Sequence, residues 1–239
     1  MRTLGLIGGL GPETTIEYYR LIIARYQEQT GGKYPSIIIN SVDLTRLIDW
    51  MNADELGKAT DYLSSEIERL YNSGADIAAL ATNTPHIVFD ELRRRAKLPL
   101  ISIVEATCDV VRALGSSKVA LLGTRFTMQA RFYPSVFEKA GIELITPTPE
   151  EQTYIHDKYM NELLKNSFLP DTRTNILRII ENLVTRDAVE AVILGGTELP
   201  LLLRAQEHNG VPLLDTARIH AHALVDELLK FEPQLSDML

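Results

Sequence analysis

The chain lacks several things, and each absence narrows what it can be. Its 239 residues include one cysteine, Cys108, so no disulfide can form within the chain. No Cys/His cluster with metal-ligand spacing occurs, and His220 and His222, two positions apart, would diverge on a helix, so no metal is expected. Positive charge is scarce: 24 Lys and Arg stand against 32 Asp and Glu, a formal charge of −8. Nucleic-acid binding needs clustered positive charge, so no nucleic-acid partner is expected. The densest basic run, Arg93-Arg94-Arg95 with Lys97, follows Asp90 and Glu91 at the end of an expected helix, where cations complement the dipole. No apolar run approaches the roughly 20 residues that cross a bilayer. The first residues lead straight into a strand-like segment without the apolar core of a signal peptide. The expectation is a soluble cytoplasmic protein with no membrane partner. Low-complexity sequence is also absent; Pro147-Thr148-Pro149 reads as a short rigid loop and the stretch after Glu232 as a frayed end.

What is present is ordinary globular sequence, 45% hydrophobic and 23% charged. The length suits two domains of roughly 100 residues, with a core that needs no staples. Strands are expected at 3–8, 36–40, 76–81, 100–103, 118–122, 142–145, 190–194 and 212–214. Helices are expected from about Thr14, then over 54–72, 84–95, 104–114, 127–140, around 150–185 and over 216–230. Strands alternating with helices point to an α/β protein with parallel sheets. The continuous apolarity of Ala78-Ala79-Leu80 and Val192-Ile193-Leu194 fits strands covered on both faces.

The layout is duplicated. Arg2–Gly9 and Ser117–Thr124 each carry an apolar run that reaches glycine, with Gly123 lying 115 positions after Gly8. Ile77–Thr84 has a counterpart in Ala191–Glu198, Thr82 and Gly196 being 114 apart. Leu98-Pro99-Leu100-Ile101 and Val211-Pro212-Leu213-Leu214 are 113 apart. Three anchors at a near-constant offset predict two copies of one α/β unit related by pseudo-twofold symmetry, with the site in the cleft between them. The expected domains are 1–115 and 116–215, divided at Gly115-Ser116-Ser117, followed by a C-terminal helix in 216–239. Ligands in open α/β sheets bind beyond the carboxyl ends of strands. The segments at Gly8, Thr82, Gly123 and Gly196 all begin at such ends.

Five pieces carry a resemblance to a known family. They are Gly5–Thr15, Ala81-Thr82-Asn83-Thr84-Pro85-His86, Leu121-Leu122-Gly123-Thr124, Gly195-Gly196-Thr197-Glu198-Leu199-Pro200 and Leu214-Asp215-Thr216. In this order, over nearly the whole chain, they resemble the cofactor-independent aspartate/glutamate racemases. The resemblance implies the two-domain fold, a last helix that crosses back to the first domain, a homodimer, no cofactor and a small amino-acid substrate. It implies that Thr124 holds a substrate carboxylate and that Lys165 lies where a second cation can be supplied. It also implies a cysteine at each of two positions, acid and base for the two faces of the substrate. Here those positions hold Thr82 and Gly196, so two-thiol racemisation is not expected.

Racemisation removes the α-proton from one face and returns it on the other, using one group per face. Thiols suit the task because their pKa, about 8.5, can be drawn toward neutrality. Thr82 keeps a hydroxyl, fit for a ligand contact or a backbone bond but reluctant to lose a proton. Gly196 can only shape a turn, and leaves a void where a thiol would sit. Glu198 is the first candidate for a substitute base, as a buried carboxylate can titrate near neutrality; alternatively it receives backbone N–H groups at a helix start. His86 is the second candidate, or else a supporting core residue. Cys108 falls in mid-helix and is not the missing thiol.

For binding, the Gly9–Gly11 turn leading into a helix offers an anion site, although it lacks the dinucleotide spacing. Asn83, Thr84 and Thr197 offer amides and hydroxyls at other strand ends. Arg46 is either a bidentate carboxylate clamp or a solvated helix arginine. Three functions remain open: a racemase or epimerase of a small, acidic amino acid using a non-thiol base; a catalytically silent carboxylate-binding protein; and a one-base lyase or isomerase.

Overall fold

A computed structural model of the chain describes residues 2–230. In chain order the elements are β1 (Thr3–Gly8), α1 (Pro12–Thr30), β2 (Ser36–Ser41), α2 (Leu44–Asn52), α3 (Leu56–Asn72), β3 (Ile77–Leu80), a 3-10 turn (Thr84–Val88), α4 (Phe89–Arg95) and α5 (Ile103–Ala113). There follow β4 (Lys118–Gly123), α6 (Arg125–Gln129), α7 (Phe132–Lys139), β5 (Glu143–Ile145), α8 (Pro149–Asn161), a 3-10 turn (Leu163–Lys165), α9 (Pro170–Asp187) and β6 (Ala191–Gly195). The last are α10 (Leu199–Leu203), β7 (Glu207–His208), β8 (Val211–Asp215) and α11 (Thr216–Leu229). The expected end after Glu232 lies outside the described residues. No described helix is long and apolar enough to cross a membrane.

Two parallel sheets organise these elements, in the orders β2-β1-β3 and β5-β4-β6-β8-β7. The duplication read from the sequence reappears in their ladders. Gly5 pairs with Ala78 on one side and Ile38 on the other, and Ala120 pairs with Val192 and Ile145. Ala78 bridges Leu100, as Val192 pairs with Leu213. The anchors therefore share register as well as sequence. Every residue of β3 and β6 is buried, which explains their unbroken apolarity. β7 departs from the parallel pattern: it pairs antiparallel with β8 at the edge.

The chain clusters into two compact units. One holds the residues through Ala81, Val88–Ser102 and the chain from His220; the other holds Thr82–Ile87 and Ile103–Ile219. The expected boundary at Gly115 moves to Ile103. The cause is α5, whose Ile103, Val104, Cys108 and Val111 are buried with Val119, Leu121, Tyr133 and Phe137 of the second unit. The expected strand at 100–103 is reduced to one bridge at Leu100, because Ile103 already opens α5. The helix expected over 127–140 is two helices broken at Ala130. Pro134 compels this, since its ring would clash with the carbonyl four residues earlier, at Ala130, whereas it fits the first turn of α7. α2 and α10 lie outside the expected helical ranges, and bear out only the readings that put Arg46 on a helix and Glu198 at a helix start.

Candidate active site

The site residues of the second unit gather at the carboxyl ends of β4 and β6. Gly123 and Gly195 face each other in the ladder. A Cβ on Gly123 would lie 2.6 Å from the Gly195 carbonyl oxygen, so only glycine allows these strand ends to close up. From here the two following turns diverge, one carrying Thr124 and the other Gly196, Thr197 and Glu198.

On the β4 side, Thr124 caps α6, its hydroxyl accepting the Thr127 N–H at 3.3 Å. The Thr84 hydroxyl lies 3.0 Å from that of Thr124 and 3.4 Å from that of Thr127. Thr124 and Thr127 are themselves 3.3 Å apart. Three hydroxyls thus stand within mutual reach; Thr127 is fully buried behind the other two, and a hydroxyl rotates to suit its partner. Thr82, two residues before Thr84, is buried on the same segment.

Asn83 supports this segment from within. Its Oδ1 accepts the Tyr133 hydroxyl at 2.6 Å and its Nδ2 donates to the Thr216 hydroxyl at 3.0 Å. Thr216 in turn donates to the Leu194 carbonyl at 2.8 Å. Burial pushes the Tyr133 phenol well up, against a smaller opposite effect of its Thr107 contact. Both ends of the Asn83 amide therefore act inside the fold. His86 is buried, and its Nε2 accepts the N–H of Ile103, first residue of α5, at 3.3 Å. That bond requires a neutral ring with its proton on Nδ1.

The β6 side differs from expectation. A Cβ built on Gly196 would run into the ring of Tyr159, from α8, meeting Cε2 and lying 3.0 Å from both Cζ and the hydroxyl oxygen. The void expected beside Gly196 does not exist, because an aromatic ring fills it. The Tyr159 hydroxyl donates to Glu198 Oε2. The Thr197 hydroxyl donates to the same oxygen at 3.1 Å. Tyr159, Thr197 and Glu198 are all buried. Glu198 holds the N-cap position of α10 but makes no side-chain cap bond, so the helix-start role foreseen for its carboxylate is replaced by this hydroxyl pair. Burial first, and the neighbouring Glu198 charge second, hold the Tyr159 phenol well above its usual range. It is a protonated donor at any physiological pH.

In the first unit, the Gly8–Gly11 turn is internally tied. The Gly9 N–H donates to the Thr15 hydroxyl at 2.9 Å, and that hydroxyl donates to the Gly11 carbonyl at 3.2 Å. Gly9 at φ 77° and Gly11 at φ 111° occupy backbone space that favours glycine. A Cβ on Gly9 would also stand 2.5 Å from the Val42 carbonyl oxygen. Arg46 is exposed on α2, with its guanidinium 5.1 Å from the centre of the Trp50 ring and 5.0 Å from that of Tyr62. In the second unit Lys165 is exposed at the end of its 3-10 turn. Cys108 is buried on α5, where burial pushes its thiol up. Among the described residues, no group of three or more His, Cys, Asp or Glu side chains is arranged to hold a metal ion.

Sequence reasoning missed Tyr159, Tyr133 and Thr127. Tyr159 has no strand-end position and no glycine beside it, so nothing in the spacing relates it to Gly196.

Comparison with known proteins follows the same lines. The family model for Asp/Glu/hydantoin racemases matches residues 7–224. The broad specificity amino-acid racemase RacX of Bacillus subtilis is 24% identical over 96% of this chain and 99% of its own length. Among solved structures, a candidate Asp/Glu racemase from Yersinia pestis is 36% identical with a TM-score of 0.87, covering 96% of this chain and 100% of that one. PH1733, an aspartate racemase homologue from Pyrococcus horikoshii, is 33% identical with a TM-score of 0.77, covering 95% of this chain and 99% of its own. With ladders, turn glycines and sequence in agreement over nearly its whole length, the chain belongs to the Asp/Glu/hydantoin racemase family.

Proposed function

We propose that this chain is a racemase-family protein that binds a small, acidic amino acid without a cofactor and does not racemise it by two thiols. The observation that carries the reading is the pairing of a three-hydroxyl cluster with a thiol-free turn. Thr84 and Thr124, backed by the buried Thr127 hydroxyl, can take a carboxylate, while the place of a side chain at 196 belongs to the Tyr159 ring. Cys108, the one cysteine, lies in the helix core and supplies no acid or base.

A second reading rests on Glu198. A buried carboxylate held by two hydroxyls suits a single base, which would support a one-base isomerase or lyase. The resemblance to the family further supports a homodimer, measurable by light scattering on the purified protein.

The test is proton NMR in D₂O with each enantiomer of aspartate, glutamate and a panel of other amino acids, alongside calorimetric binding. Binding of an acidic amino acid without inversion at Cα supports the proposal. Exchange with retention selects the one-base reading; its loss in Glu198→Gln identifies Glu198 as the base, and its survival there places the base on the other face. If no acidic amino acid binds, the proposal fails.

A further inference from the structure

We infer that Tyr159 is a specificity-determining residue: it occupies the place of a side chain at 196 and so closes that face of a bound amino acid to proton transfer. The inference rests on the ligand site proposed above. Two features of one residue carry it. The ring fills the volume into which residue 196 would project, so glycine at 196 and tyrosine at 159 form a matched pair. The hydroxyl is committed to Glu198, which ties down the carboxylate nearest that turn.

The pair explains why Gly196 cannot simply be read as a lost function. A cysteine placed there would meet the ring already at its Cβ, before the sulfur is added. The ring cannot retreat easily, since Tyr159 is buried in the core cluster that also holds Leu163, Ile176, Leu194 and Leu199. Nor does the phenol take over as a base. It is protonated, and its burial opposes formation of the phenolate. A substrate Cα approaching the Gly196 turn therefore faces an aromatic edge. Proton exchange, where it occurs, is confined to the opposite face and proceeds with retention.

Gly196→Cys, Tyr159→Leu and the pair together test this by thermal melting and by thiol labelling with an aromatic disulfide. Gly196→Cys alone should melt roughly 3–10 °C lower, as overpacking of a core does in a chain of this size. Adding Tyr159→Leu should recover part of that loss, although Tyr159→Leu alone destabilises. The new thiol should label about tenfold faster in the pair, because in the single variant labelling waits on local opening. Gly196→Ala, alone and paired, reads the same coupling should the cysteine variant not fold. Tyr159→Phe keeps the ring and removes the hydroxyl, and Gly196→Cys should be as costly beside it as beside tyrosine. Independent, additive effects in this cycle overturn the inference. So does inversion at Cα by the wild-type protein, or exchange that Glu198→Gln abolishes, since the Gly196 face would then be open to proton transfer. Calorimetry on the wild type separately tests whether acidic amino acids bind, so the two readings fail distinguishably.

Discussion

The hydroxyl of Tyr159 donates to the carboxylate of Glu198, and both groups are buried in the second unit. A buried carboxylate is tolerable only while its oxygens are bonded. Tyr159→Phe keeps the ring against Gly196 but takes one donor from Glu198, leaving Thr197 as the other hydroxyl on that oxygen. The expected loss is about 1.5–3 kcal/mol, the usual worth of a hydrogen bond to a charged group. Urea denaturation at neutral pH measures it. Glu198→Gln should relieve most of this loss in the Tyr159→Phe background, because the charge that needed the donor is gone. Additive losses would show that the two side chains do not interact.

The threonine cluster makes a prediction about ligands. If Thr84 and Thr124 present hydroxyls to a carboxylate, Thr124→Val removes one of those donors together with the N-cap of α6. Binding of the preferred acidic amino acid should weaken about tenfold, one hydrogen bond's worth. Stability should drop by about 0.5–2 kcal/mol through the lost cap. Thr124→Ser keeps both functions and should restore both. Thr84→Val caps no helix, so it should weaken binding with a smaller effect on stability. Calorimetry and melting, run on all three variants, separate the roles; equal binding throughout would remove the cluster from the ligand site.

Much of the architecture was legible because it is written in local chemistry. Apolar runs that stop at glycine mark β1, β4 and β6, and their repetition at a fixed offset carries into the ladder registers. Pro134 announces the break between α6 and α7, yet the apolar spacing around it reads as one helix. The rim residues were also legible, since Thr84, Thr124 and Glu198 follow strand ends. Their partners were not. Tyr133 reaches Asn83 across 50 positions and Tyr159 reaches Glu198 across 39, from helices whose own sequence marks no site. Side-chain volume at a glycine is decided by whatever the rest of the fold brings there, and for Gly196 that is a tyrosine.

Asn83 shows how a rim residue can serve the fold. It links the Tyr133 hydroxyl to the Thr216 hydroxyl, and through it to the Leu194 carbonyl at the end of β6. Asn83→Ala deprives two buried hydroxyls of a partner at once. Thr216 keeps its bond to the Leu194 carbonyl and Tyr133 its contact with Thr107, so at about 0.5–1.5 kcal/mol for each hydrogen bond removed the variant should lose roughly 1–3 kcal/mol. Asn83→Asp keeps an acceptor for Tyr133 but offers no donor to Thr216, and adds a charge to a buried position; it should be at least as destabilising. Tyr133→Phe removes one link and should cost less than either. Chemical denaturation of the three variants gives the order, and a mild Asn83→Ala would show that water or rearrangement satisfies the chain.

His220 ties the stability of the first unit to pH on the acid side. Its ring is fully buried, its Nε2 donates to the Ile101 carbonyl at 3.1 Å, and its Nδ1 accepts the Tyr18 hydroxyl at 2.9 Å. A carbonyl can only accept, which fixes the proton on Nε2 and leaves Nδ1 as the acceptor. Burial lowers the pKa of this ring to about 4 from the ordinary 6.5. Above pH 6.5 the ring is neutral in both folded and unfolded chains, so its contribution is complete and flat. Below 6.5 the unfolded chain takes up the proton first, and stability falls as pH falls toward 4. Below about 4 the folded ring protonates as well and the loss levels off. The interval of 6.5 to about 4 corresponds to about 3 kcal/mol from this one group. Protonation would also set an N–H at Nδ1 against the Tyr18 hydroxyl. Denaturation of the wild type between pH 7 and pH 4 should show this slope, and His220→Gln should flatten it while lowering stability at pH 7. An unchanged slope in His220→Gln would assign the acid limb to other groups.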